Sequence, residues 1–148
     1  MIYVGIDLAW TNKRPSGLCI LNDSGQILFW ETALLEDSDI VAIIQKYDDG
    51  TLQIAVDAPL VVPNENGSRP CDRLFRKHRV HGHALGIFVS NRVFLNKTYG
   101  MIRGELLTQT LLDVFPQCSL TANPANKASC IIETFPTALV YGLFPELT

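Results

Sequence analysis

No stretch of this 148-residue chain stays apolar for long enough to cross a bilayer, so a membrane-spanning helix is not expected. The chain also has no Walker-type loop and no G-x-G-x-x-G, which removes the phosphate cradles of P-loop and dinucleotide chemistry. Cysteine is sparse. Cys19, Cys71, Cys118 and Cys130 make no C-x-x-C pair and no zinc-finger spacing, so reduced thiols are expected, with Cys19 and Cys130 at core strand positions. No basic n-region precedes the first strand pattern, which predicts a cytoplasmic protein. Internal repeats, low-complexity tracts and linkers are lacking, and the length predicts one domain over 1–148.

What is present is a core-forming composition, 47% hydrophobic against 18% charged. The net charge of −3 is unevenly spread. Six of the twelve cations, Arg69, Arg73, Arg76, Lys77, Arg79 and Arg92, fall in the stretch 69–92 with one acid, Asp72. That stretch carries +5 and the remainder −8, which points to a localised anionic partner.

Ile2, Val4, Ile6 and Leu8 alternate with Tyr3, Gly5 and Asp7, the period of a half-buried strand. After a polar turn with Pro15, strands are predicted over 17–22 and 26–32 around Asp23-Ser24-Gly25, an antiparallel meander of three. Glu36-Asp37-Ser38-Asp39 sets acids and a capping hydroxyl ahead of Ile40, Ile43, Ile44 and Tyr47. This is the opening of an amphipathic helix, which Asp48-Asp49-Gly50 stops. A strand over 52–57 follows, made parallel to one of the first three by the helical crossover. It closes at Asp57-Ala58-Pro59, because Pro59 has no N–H for a ladder.

Residues 61–70 read as a surface loop, from which a helix starts near Ser68 or Arg69 with Pro70 in its first turn. Such a helix sets Arg69, Arg73 and Arg76 on one face. The stretch 80–97 is broken by Gly82, Gly86 and Asn91 and gives no pattern. Thr98 is expected to cap a helix over 99–115 with Ile102, Leu106, Leu107 and Leu111 inward. Beyond it come a loop over 116–126, a fifth strand over 129–134 carrying Glu133 near its end, and a helix over 137–143 opened by Pro136.

Three acids therefore end strands: Asp7, Asp57 and Glu133. Where the fourth and fifth strands run parallel to the first, all three project from one edge, facing the crevice where open α/β sheets bind ligands. Clustered carboxylates repel unless neutralised, and a hard divalent cation does so through oxygen ligands. Two such ions about 4 Å apart would clamp the attacking and leaving oxygens of a phosphodiester. Alternatively, each acid caps a neighbouring turn or helix. The basic stretch suits phosphate contact without sequence choice, against the plainer reading of a solvated helix face. His78, His81 and His83 lie close together but among cations that repel a metal, and no cysteine is placed to help them.

Gly5-Ile6-Asp7-Leu8-Ala9-Trp10, Val56-Asp57-Ala58-Pro59-Leu60, Gly67-x-Arg69-x-Cys71-Asp72 and Ile132-Glu133-Thr134-Phe135-Pro136 occur in this order. Through them the chain resembles domain-of-unknown-function family 429, which is grouped with ribonuclease H-like proteins and predicted to be a nuclease. The resemblance implies an α/β fold with a ribonuclease H-like mixed five-stranded sheet, three antiparallel strands and then two parallel, with flanking helices. It matches Asp7 and Asp57 to the metal-binding acids of that fold's first and fourth strands. Arg69, Asp72 and Glu133 match motif positions without a settled role. Family members usually continue with an Asp-Ala-rich helix. By that comparison the chain is expected to lack the C-terminal part, to catalyse poorly, and to expose sheet surface open to self-association.

The first reading is a metal-dependent nuclease or phosphodiesterase. In it Asp7 and Asp57 hold Mg²⁺ or Mn²⁺, Glu133 joins them in catalysis, and Arg69, Arg73, Arg76 and Lys77 hold the phosphates of nucleic acid. Two rivals stand beside it. One is a non-catalytic nucleic-acid or protein-binding module on the same fold. The other is a nucleotide-binding phosphotransferase like actin and the sugar kinases, for which Thr11-Asn12-Lys13 is a poor phosphate hairpin.

Overall fold

Ile2, Val4 and Ile6 are buried while Tyr3, Gly5 and Asp7 are exposed, so the first strand has one core face and one outer face. In the computed structural model, residues 1–124 and 128–147 are described. Along the chain the elements run β1 (Ile2–Asp7), β2 (Ser16–Asn22), β3 (Ile27–Ala33), α1 (Asp37–Tyr47) and β4 (Leu52–Asp57). Next come α2 (Pro70–Phe75), β5 (Arg79–Val80), β6 (His83–Ala84), α3 (Arg92–Tyr99) and α4 (Arg103–Val114). The last are β7 (Ser119–Leu120), β8 (Cys130–Glu133), α5 (Pro136–Leu143) and a 3₁₀ turn at Pro145–Leu147. These fall into two units, Met1–Leu60 with Arg103–Thr134, and Val61–Ile102 with the chain from Phe135 onward.

The first unit is a mixed sheet in the order β3-β2-β1-β4-β8-β7. β1, β2 and β3 pair antiparallel; β4 is parallel to β1, and β8 and β7 continue in parallel. This is the antiparallel-then-parallel arrangement expected, with six strands rather than five. The extra strand, β7, is two residues long, too short for a hydrophobic period to announce it. It lies in the stretch expected to be loop over 116–126, whose last two residues are outside the described ones.

One face of the sheet packs on α1 and α4. Val4, Ile20, Ile54, Val56 and Ile131 meet Ile40, Ile44, Leu107 and Leu111 there, and each full burial contributes about 1.5–3 kcal/mol. α1 is capped at Glu36 rather than Ser38, with the Asp39 carboxylate accepting the Glu36 backbone N–H at 2.9 Å. On the opposite face Tyr3, Ile27 and Trp30 stay exposed, Trp30 at 73%.

The helix expected over 99–115 is two helices. Gly100 takes the left-handed conformation (φ 78°) and its N–H closes on Asn96 O at 2.9 Å, ending α3. α4 then buries Arg103, Gly104, Leu107, Thr108 and Leu111, a stripe that leaves Leu106 exposed on its far side.

In the second unit, Asn64 and Asn91 tie a loop to the start of α3. Asn64 Nδ2 donates to the Gly67 and Ser90 carbonyls, Asn91 Nδ2 donates to Gly67 O, and Asn91 Oδ1 caps the Phe94 N–H at 2.8 Å. β5 and β6 form a hairpin through His81 and Gly82, both at positive φ, the signature of a type I′ turn. His83 stacks on Tyr141 of α5 at 5.0 Å. Among the described residues no helix is long and apolar enough to cross a membrane. All four cysteines are free; Cys118 and Cys130 are buried, and burial pushes the Cys118 thiol up to about 11.

Candidate metal centre at the strand ends

β1 and β4 run side by side and stop together, with Asp7 the register partner of Asp57. Neighbouring strands lie about 4.8 Å apart, so both carboxylates leave the sheet as neighbours, on the face opposite Ile6 and Val56. On the other side of Asp7 its partner is Gly17, where an added Cβ would sit 3.4 Å from the Asp7 Cβ. Above Gly5 the space is open. Glycines thus keep the Asp7 side of the pair clear.

Asp57 is half-buried, and its carboxyl is held above the ordinary value, first by burial, then by the charge of Asp7, then by that of Glu133. Among the described residues neither Asp7 nor Asp57 forms an ion pair. Glu133 ends β8 at the same edge but pairs with Val56, so its register belongs to the other face. Its Oε2 accepts the Leu60 N–H at 2.9 Å and fastens the turn that follows Asp57. The three acids do share an edge, and two of them share a face.

Two adjacent carboxylates without a cationic partner fit a hard divalent cation through oxygen ligands. No group of three or more His, Cys, Asp and Glu side chains among the described residues is arranged to hold a metal. The two aspartates would therefore be the protein ligands, with water completing the shell, as Mg²⁺ tolerates.

The first turn of α4 braces both strand ends, a role that sequence spacing alone does not reveal. Arg103 is buried at 4% exposure. Its guanidinium donates to Ala9 O, two residues past Asp7, at 3.1 Å, and to Leu35 O at 2.6 Å. It also reaches Ser16 Oγ and Asp37 Oδ1, while Ser16 Oγ accepts the Ala9 N–H at 3.1 Å. Next to it, Gly104 packs so close to the Pro59 carbonyl that a Cβ would overlap it. One dipeptide therefore holds the backbone after Asp7 and after Asp57. The only available signal was a lone cation at an apolar helix start, whose partners lie 66 to 94 residues away.

The basic residues of the second unit divide into two groups. Arg69 turns inward, its Nε and Nη2 gripping both oxygens of buried Asp72 at 3.0 and 2.8 Å, and its Nη1 donates to Val61 O. Spacing set Arg69 on the face of Arg73 and Arg76; the acid at i+3 draws it into the interior instead. Arg73, Arg76 and Lys77 are exposed, with Arg73 Nη1 bonded to Ser68 O. His78 and His81 are exposed, and His83 is occupied against Tyr141.

The fold and the acid pair define a mixed α/β protein with carboxylates at the carboxyl edge of its parallel strands. The chain belongs to the family described as protein of unknown function (DUF429), whose model matches residues 5–101. The matched span holds Asp7, Asp57 and the Arg69–Asp72 pair; Glu133 and α4 lie beyond it. No curated protein and no solved structure matches the chain.

Proposed function

We propose that this protein is a divalent-metal-dependent phosphodiesterase or nuclease of the cytoplasm, with Asp7 and Asp57 holding Mg²⁺ or Mn²⁺. The observation that carries the reading is the in-register carboxylate pair, unpartnered by any cation among the described residues. Free cysteines suit a reducing compartment. When bound, such a cation supplies a water of lowered pKa and neutralises charge on a phosphate oxygen. The chain's own contribution is to fix two oxygen ligands on adjacent strands, with Arg103 and Gly104 stiffening the backbone behind each. Glu133 acts through the turn it fastens at Leu60. Arg73, Arg76 and Lys77 are the cations exposed for phosphate; Arg69 is committed to Asp72.

The test is turnover. A fluorogenic single-stranded oligonucleotide is incubated with the 148-residue chain and Mn²⁺, in parallel with Asp57→Asn. Cleavage that needs Mn²⁺ and disappears in the variant supports the reading. Cleavage that persists in Asp57→Asn overturns it.

A further inference from the structure

The second unit carries a surface of aromatic rings that the acid pair does not use. Phe88 and Phe94 lie with ring centroids 5.4 Å apart, and Phe94 meets Tyr99 edge-on at 6.3 Å. These rings are not a closed core. Phe88 is 47% exposed and Phe94 37%, and Val93 beside them is 50% exposed.

Apolar rings at a surface are open to protein partners and to nucleobases alike, and charge decides between them. In sequence the second unit has seven Lys and Arg against three acids, of which Asp72 is already neutralised by Arg69. Lys97 follows Phe94 by three residues on α3, one turn along the same face, and is exposed. The Asn64–Ser68 loop joins this helix to the basic residues of α2. Gly67 O accepts from Asn91 at the α3 cap, and the next carbonyl, Ser68 O, accepts from Arg73. Glu65 is the acid whose backbone meets α3, through the Val93 N–H. Exposed rings interleaved with exposed cations are what a single strand needs: its bases offer π-faces that a duplex hides, and its phosphates track positive charge.

We propose that this face binds single-stranded polynucleotide, with bases stacking on Phe88 and Phe94 and phosphates drawn to Lys97 and Arg73. It deepens the proposed function by naming the form of the substrate, and it rests on the nucleic-acid part of that reading alone. The two ideas separate because strand binding can be measured in EDTA, where the acid pair takes no part.

The experiment is fluorescence anisotropy of a labelled oligothymidylate with the full chain in EDTA, over a salt series. Binding is expected to weaken with salt. Phe88→Leu and Phe94→Leu keep apolar volume but remove the ring, and each should weaken binding about fivefold or more with an unchanged melting temperature. Phe94→Tyr should retain it. Lys97→Ala should shallow the salt slope by about 0.7. Failure of the parent to bind, equal affinity for a duplex of the same length, or Leu variants that bind like the parent would each overturn the proposal. So would a parent dimer that Phe94→Leu dissociates, since the face would then be a protein interface.

Discussion

At the scale of single residues, three effects act together on Asp57: burial, then the charge of Asp7, then that of Glu133, and all raise its carboxyl above the usual 3.8. A raised acid favours the folded state while it is protonated and costs stability once it ionises. In the metal-free protein that cost is absent below the ordinary carboxylate range and complete above the raised value. Asp57→Asn should therefore melt higher than the parent at pH 7 in EDTA, and the advantage should shrink as pH falls through the raised value and be gone below 3.8. Calorimetric melts across that range check it; a variant less stable at pH 7 contradicts the account. Arg103 behaves in the opposite sense. Its removal strands the Ala9 and Leu35 carbonyls and the Asp37 carboxylate, so Arg103→Met is expected to cost about 3–5 kcal/mol in urea unfolding. Loss under about 1 kcal/mol would mean that the brace is not needed.

Among the elements, α4 shows most directly how packing constrains the site. Its first turn lies against the Ala58–Pro59 turn, and a Cβ at Gly104 would meet backbone that cannot swing aside. Gly104→Ala, which would raise the stability of a free helix, is expected here to destabilise by about 1–3 kcal/mol in the same assay. The helix was only half legible in the sequence. Leu107 and Leu111 announce its stripe, but Gly100 looks like an interior glycine until its positive φ shows it to be the stop of α3. Asn91, which broke the pattern of the preceding stretch, is in fact the α3 cap. The strands that carry the acids were readable because Ile2–Asp7 and Leu52–Asp57 alternate cleanly and end at turn residues. The hairpin at Arg79–Ala84 and β7 are two-residue strands, below the length at which alternation means anything.

For the whole molecule, the distribution of charge was readable and the partners of individual charges were not. An acidic body and a basic stretch stand in the composition, and the structure assigns them to separate units. Sequence spacing could not show that Glu133 pairs with Val56, nor that Arg69 would be drawn in by Asp72, because both depend on partners fixed by folding. The structure sets Asp7 beside Asp57 in register, and the proposed function rests on that pair. The most direct test is titration of the 148-residue chain with Mn²⁺ by isothermal calorimetry, beside Asp7→Asn, Asp57→Asn and, as a control on the far side of the sheet, Glu31→Gln. The expected result is binding by the parent and by Glu31→Gln that both aspartate variants lose. Aspartate variants that bind Mn²⁺ as the parent does, or a parent that binds none, would contradict the central claim.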